Sequence, residues 1–234
     1  MRSLIGWLLL VAILGTIAFV AAPVVAQPLI AQSVRAALPF GADPLEVDAS
    51  VDTFHLLTGS IDTIHVTGSG LETTSASIGG LDVTVHDVSI GSHGFASMTG
   101  TLETVVLKRP SGADLAIDRI TLSGASSAVE ADALLGKASV IDLVKTALAG
   151  SGLPVGAVAL TAGGLRVTVL GQPTTVAVGV ADGAVTLAGS VAGGSIVLFR
   201  PEAGDGWRIT GVSTSPSGMD VHAVLDLDRL LASS

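Results

Sequence analysis

Leu45, Val47, Ala49 and Val51 alternate with Glu46, Asp48, Ser50 and Asp52, and this period of two recurs along most of the chain. Side chains on a strand point alternately to opposite faces, so each such run is a strand with one apolar and one polar face. The pattern returns over residues 61–66, 81–86, 88–90, 102–107 and 115–122. Gly68-Ser69-Gly70, Gly79-Gly80, residues 91–94 and Pro110-Ser111-Gly112 separate these runs at hairpin-like intervals, which predicts an antiparallel meander. Further strands are expected over residues 157–160, 165–170, 175–180, 184–187, 196–199, 207–212 and 219–225, with a last helical turn over 226–231.

One long helix interrupts this order. Residues 130–148 carry Leu134, Ala138, Ile141, Val144 and Leu148 at spacings of three and four, with acids early and Lys145 late, as the helix dipole favours. Val140, Leu143 and Ala147 widen the apolar arc, so the helix is expected to make apolar contact on more than one side, with Asp142 outward. The sequence of strands, helix and strands, without βαβ alternation, reads as an α+β chain and excludes a parallel Rossmann sheet.

Residues 4–26 contain no charge and follow Met1-Arg2-Ser3. The run is long enough to cross a hydrocarbon core of about 30 Å at about 1.5 Å per residue. Val24-Val25-Ala26 also places small residues where an export signal is cut. Uncleaved anchor and cleaved signal both stand as readings, and both put the rest of the chain outside the cytoplasm. Residues 29–38 read as a short stalk helix ending at Pro39. The expected organisation is therefore a signal or anchor at 1–26, a helix and linker at 27–42, and a domain at 43–234.

Composition narrows the function. The chain of 234 residues has a net charge of −9; residues 1–26 hold Arg2 and no acid, so the remainder has ten basic and twenty acidic residues, a charge of −10. Such a domain repels phosphate backbones, and seven Phe and Trp residues are too few to stack bases, so nucleic acid is excluded as a partner. The same scarcity argues against the aromatic girdles of an outer-membrane barrel. Without cysteine there is no disulfide, thiolate metal site or lipoprotein acylation. No nucleophile elbow, phosphate loop or H-E-x-x-H motif occurs. His55, His65, His86, His93 and His222 are scattered, with His65 and His86 in the polar phase of their strands, so no metal and no cofactor is expected. Asp62, Asp82 and Asp118 also alternate outward and make no catalytic pair. What remains is an amphipathic sheet rich in Val, Leu, Ala and Gly, with a broadly apolar helix. That combination suits a groove able to accept an acyl chain, or a plain packed core of small side chains.

Residues 45–51, then Phe54-His55-Leu56-Leu57-Thr58-Gly59, then Ile61-Asp62-Thr63-Ile64-His65-Val66, then residues 80–90 follow the order F-x-L-L-x-G, I-D-x-I-x-V and G-L-x-V-x-x-x-x-V-x-I. Ala128-Val129-Glu130-Ala131-Asp132-Ala133-Leu134-Leu135 and the glycine-punctuated strands after Gly163 continue it. This arrangement resembles the exported bacterial lipid-binding family that includes the mycobacterial lipomannan elongation factor, over most of residues 43–230. The resemblance implies a tubular lipid-binding fold of the BPI-like (TULIP) type, a strongly twisted antiparallel sheet wrapped on a long helix around an apolar cavity. It also implies phospholipid binding and no catalytic residue.

The expected function is thus a non-enzymatic, extracytoplasmic protein that holds or transfers a phospholipid or polyprenyl-type lipid, held at the membrane by residues 4–26 or released after Ala26. Leu134, Ala138, Ile141, Val144 and Leu148 are the expected lipid-facing residues of the helix, and Phe54, Leu56 and Leu57 an apolar tip. The alternative is a structural or interaction module of the cell surface with a closed core.

Overall fold

The computed structural model describes residues 45–50, 59–73, 76–89, 94–108, 114–150, 152, 154–189, 195–201 and 206–227. Thirteen strands and one helix occur among them. The first six strands are β1 (Leu45–Ser50), β2 (Ser60–Glu72), β3 (Ala76–Ser89), β4 (Phe95–Leu107), β5 (Leu115–Ala125) and β6 (Ala128–Gly136). Helix α1 (Lys137–Gly150) follows, and then β7 (Val155–Thr161), β8 (Gly164–Val169), β9 (Gln172–Ala181), β10 (Ala184–Ala188) and β11 (Ser195–Phe199). The hairpin β12 (Trp207–Ser215) and β13 (Gly218–Leu225) completes the order. One sheet has eight strands in the order β1-β2-β3-β4-β5-β6-β13-β12, the other five in the order β11-β10-β9-β8-β7, and every pairing is antiparallel.

The expected meander is present, with longer strands than the alternation alone marks. Gly68-Ser69-Gly70 lies inside β2 and Gly79-Gly80 inside β3, where turns were expected. The reason is a change of phase shared by neighbours. Buried residues on β3 are Ala76, Ile78, Leu81, Val83, Val85 and Val88, so the spacing slips from two to three at 78–81 and at 85–88. On β4 it slips at 95–98 and 102–105, and the register sets Ile78 against Val105, Leu81 against Leu102, Val85 against Met98 and Val88 against Phe95. Strand β2 answers with Leu71 opposite Ile78 and Ile64 opposite Val85, and β5 with Ile117 opposite Val105 and Ile120 opposite Leu102. The slips coincide, so apolar side chains stay on one face across four strands. At these points Thr104 and Asp87 adopt φ of 51° and 53° and Gly70 adopts 63°. Such irregularities bend a strand and increase its twist.

The long helix expected over 130–148 is half strand. Residues 128–136 alternate Val129, Ala131, Ala133 and Leu135, all buried, with exposed Glu130 and Asp132, and they pair with β5 on one side and β13 on the other. Ladder bonds on both edges outweigh the helical propensity of Ala, Leu and Glu. The helix begins at Lys137 and buries Val140, Leu143, Val144 and Leu148. It ends where Gly152, at φ 77°, donates its N–H to the Ala149 carbonyl at 3.0 Å, an αL cap. Asp142 is half-buried rather than fully outward.

Helix α1 and the five-stranded sheet are thus an excursion between two neighbours of the large sheet, because β13 returns to pair with β6. The helix touches β5, β6 and β13 on one side and β7 and β11, the two edges of the small sheet, on the other. Strand β12 packs on β7, β8, β9 and β10, and Thr214 anchors this contact by donating its hydroxyl to the Thr161 carbonyl at 3.1 Å. One continuous apolar core joins both sheets and the helix.

Candidate functional site: an apolar seam between two sheets

The outer face of the large sheet holds polar chemistry that is satisfied across strands. His65 Nε2 lies 3.0 Å from Asp82 Oδ1, Thr63 Oγ1 lies 3.1 Å from His86 Nδ1, and His222 pairs with Asp132. Thr63 faces His86 and Asp132 faces His222 in register, and His65 reaches Asp82 diagonally, since their register partners are Thr84 and Thr67. Both carboxylate–histidine pairs are well exposed, with side-chain exposures of 41–69%, as an outward polar phase requires. His55 and His93 lie outside the described residues. Among the described residues, no three His, Asp or Glu side chains converge as metal ligands.

The inner face holds the feature a ligand could use. Where α1 lies between the sheets, an apolar cavity of about 40 Å³ remains. Its floor is Leu115 and Ile117 of β5, Ala133 and Leu135 of β6, and Met219 and Val221 of β13. Leu143 of the helix, Val185 of β10 and Phe199 of β11 close it from the other side. Floor residues stand side by side because Ala133 faces Val221 and Leu135 faces Met219 in register. Ala131 and Ala223, also paired and buried, continue the floor with small side chains. Small-molecule pockets commonly enclose roughly 300–1,000 Å³, so a lipid tail enters this seam only if Leu143 and Phe199 move aside. The lining offers no charge and no hydrogen-bonding side chain, so the seam favours hydrocarbon and repels water.

The expected site residues separate into groups. Val144 and Leu148 are buried and Ile141 is half-buried against the core, all on α1. Ala138 is exposed on the first turn, away from the core. Leu134 belongs to β6, not to the helix; its phase is opposite to Ala133 and Leu135, and its neighbours in register are Arg119 and Asp220, so it stands on the outer face. Phe54, Leu56 and Leu57 lie outside the described residues. Of the helix residues it is Leu143, read from sequence only as widening the arc, that lines the cavity. The other lining residues occupy inward phases of their strands, a signal they share with the whole core, so nothing in their spacing singles them out. Among the described residues no helix is long and apolar enough to cross a membrane; residues 4–26 are not among them.

No curated protein and no solved structure matches the chain. A family model does, across residues 17–224, which takes in both sheets, the helix and the seam: the chain belongs to the LmeA-like phospholipid-binding family.

Proposed function

We propose that this protein is a non-enzymatic lipid carrier or holder of the cell envelope, working outside the cytoplasm, whose ligand is a phospholipid or a polyprenyl-type lipid. The family is a lipid-binding family and not a known enzyme family. The observation that carries the reading is the apolar seam itself, placed where a helix separates two sheets and floored by Ala133, Leu135, Met219 and Val221 beside Leu115 and Ile117. A tail inserted there replaces side-chain packing by its own methylenes, each contributing about 0.8 kcal/mol when buried. In fold terms the reading extends to a tubular, BPI-like architecture, in which the curved sheets and the helix are the walls of a lipid tunnel.

The expected result is that protein purified without denaturant carries a lipid of one or two acyl chains, identified by mass spectrometry. Delipidated protein should rebind it with a negative heat-capacity change, the marker of apolar burial. The small volume of the seam favours a second reading, a surface interaction module with a closed core. Folded, delipidated protein that binds no phospholipid in titration establishes that second reading.

Residues 4–26 would supply the membrane attachment in this scheme. With a charge of −10 on residues 27–234, the domain is repelled by anionic lipid over roughly a Debye length, near 10 Å at 0.1 M salt. Full-length protein is therefore expected to sediment with membranes, while protein beginning at Gln27 stays in the supernatant and binds anionic vesicles weakly. Tight, salt-insensitive vesicle binding by the shorter form would instead assign attachment to an apolar surface of the domain, with Phe54, Leu56 and Leu57 the first to replace. An N-terminus found at Gln27 in the mature protein would make it a diffusing carrier rather than a tethered holder.

A further inference from the structure

Rings are scarce in this core: Phe95, Phe199 and Trp207 are the Phe and Trp residues among those described. Two of the three touch. The ring centroids of Phe199, the last residue of β11, and Trp207, the first of β12, lie 5.5 Å apart with planes inclined by 33°. Phe199 is a wall of the apolar seam. Trp207 is a wall of a second hollow, of about 280 Å³, at the end of the large sheet where β6 begins and β13 ends.

This hollow differs in chemistry from the seam. Ser127, Arg208 and Asp226 line it beside Ala128 and Val224. The two β12 residues that line it are of opposite phase. Trp207 is 8% exposed and in the inward phase of β12, whereas Arg208 is exposed in the outward phase and faces Val224 in register. The hollow thus lies at the strand ends, where β6 and β12 begin and β13 ends, at the rim of the sheet.

An apolar chamber, a second of mixed polarity, and a pair of touching rings whose residues line one each is a layout that suits an amphiphile. We infer that the rim hollow seats the phosphate end of a glycerophospholipid, and that Phe199 and Trp207 form the door through which its acyl chain passes into the seam. The inference rests on the lipid-binding reading of the seam. A guanidinium presents planar paired donors that suit a phosphate, so Arg208 is the anchoring group. The Asp226 carboxylate on the same wall repels a second negative charge, which favours a headgroup whose phosphate is balanced by an ammonium. Rings serve as a door because each is a flat plate that turns aside about two side-chain torsions, without displacing a strand.

The test uses full-length protein in which Trp7→Phe leaves Trp207 as the sole tryptophan, the chain having two. Phosphatidylethanolamine brominated near the start of its acyl chains is expected to quench Trp207 fluorescence on binding. Arg208→Gln should lower affinity for this lipid relative to diacylglycerol of the same chains by about tenfold, the loss of one charged hydrogen bond. Phe199→Ala should speed the onset of quenching, and Phe199→Leu, which keeps an apolar side chain of similar bulk, should do so less. If both lipids bind by mass spectrometry while Trp207 is unquenched and the affinity ratio is unchanged in Arg208→Gln, the door and its seat are wrong and the lipid reading stands. If folded wild-type protein binds neither lipid, the reading beneath them fails.

Discussion

Replacing Val144 by Asp leaves this protein without a cooperative folded state. Val144 is fully buried on α1, the helix that touches both sheets. A carboxylate there loses water on every side and finds apolar neighbours, Val140 and Leu148 of its own helix among them. An unpaired polar group buried in this way costs several kcal/mol, and the lost valine adds roughly 1.5–3 kcal/mol. Against a total stability of about 5–15 kcal/mol, a change of that size removes the domain or most of its margin. Urea unfolding followed by circular dichroism measures it. Ala138→Asp is the control: that residue is exposed on the first turn, where a negative charge suits the helix dipole, so its unfolding free energy should change by less than about 0.5 kcal/mol in either direction. A Val144→Asp protein that unfolds at the wild-type midpoint would show that α1 does not lie between the sheets.

Gly124→Val is expected to lower the melting temperature by about 6–12 °C, from a loss of about 3 kcal/mol. Two independent reasons act at this residue. Its φ of 130° is one that side-chain-bearing residues rarely adopt, and a Cβ added there would lie 2.3 Å from the Ala128 carbonyl oxygen. The obstacle is backbone, on the strand that pairs with Gly124 through Val129, so relief requires opening the β5–β6 ladder. Gly150→Ala is the matched comparison. A Cβ at Gly150, the last residue of α1, meets nothing within 4 Å, and alanine there should be neutral or stabilising by up to about 1 kcal/mol. Differential scanning calorimetry distinguishes the two, and equal melting temperatures for Gly124→Val and wild type would contradict the register of β5 on β6.

Most strands were legible because alternation is a local property. In Leu45 to Ser50 the inward and outward residues can be named from the sequence, and the structure buries Leu45 and Val47 and exposes Glu46 and Asp48 as the pattern requires. The F-x-L-L-x-G, I-D-x-I-x-V and G-L-x-V order likewise points to the family that the family model matches. The glycines misled where their role depends on a neighbour. A Cβ on Gly79 would lie 2.9 Å from the Cβ of Thr104, so this glycine is a close approach between strands and not a turn. The helix was overextended because Val129 to Leu135 alternates in residues that also favour helix, and the flanks that decide the matter come from elsewhere in the chain. On the helix, Val144 and Leu148 are legible as core from their spacing but do not line the cavity, while Leu134 belongs to a strand and stands on its outer face.

Sequence alone thus determined which residues of the short alternating runs turn inward, where most strands run, the acidic charge and the family. Tertiary structure alone decided that β6 is a strand, that β13 closes against it, and that a void remains beside Leu143 and Phe199. The physical reason is range. A side chain's direction on a strand is set by its own backbone, whereas the Asp132–His222 pairing joins residues 90 positions apart. The seam depends on how fully three strands, a helix and a second sheet fill the space they share, which no single segment encodes.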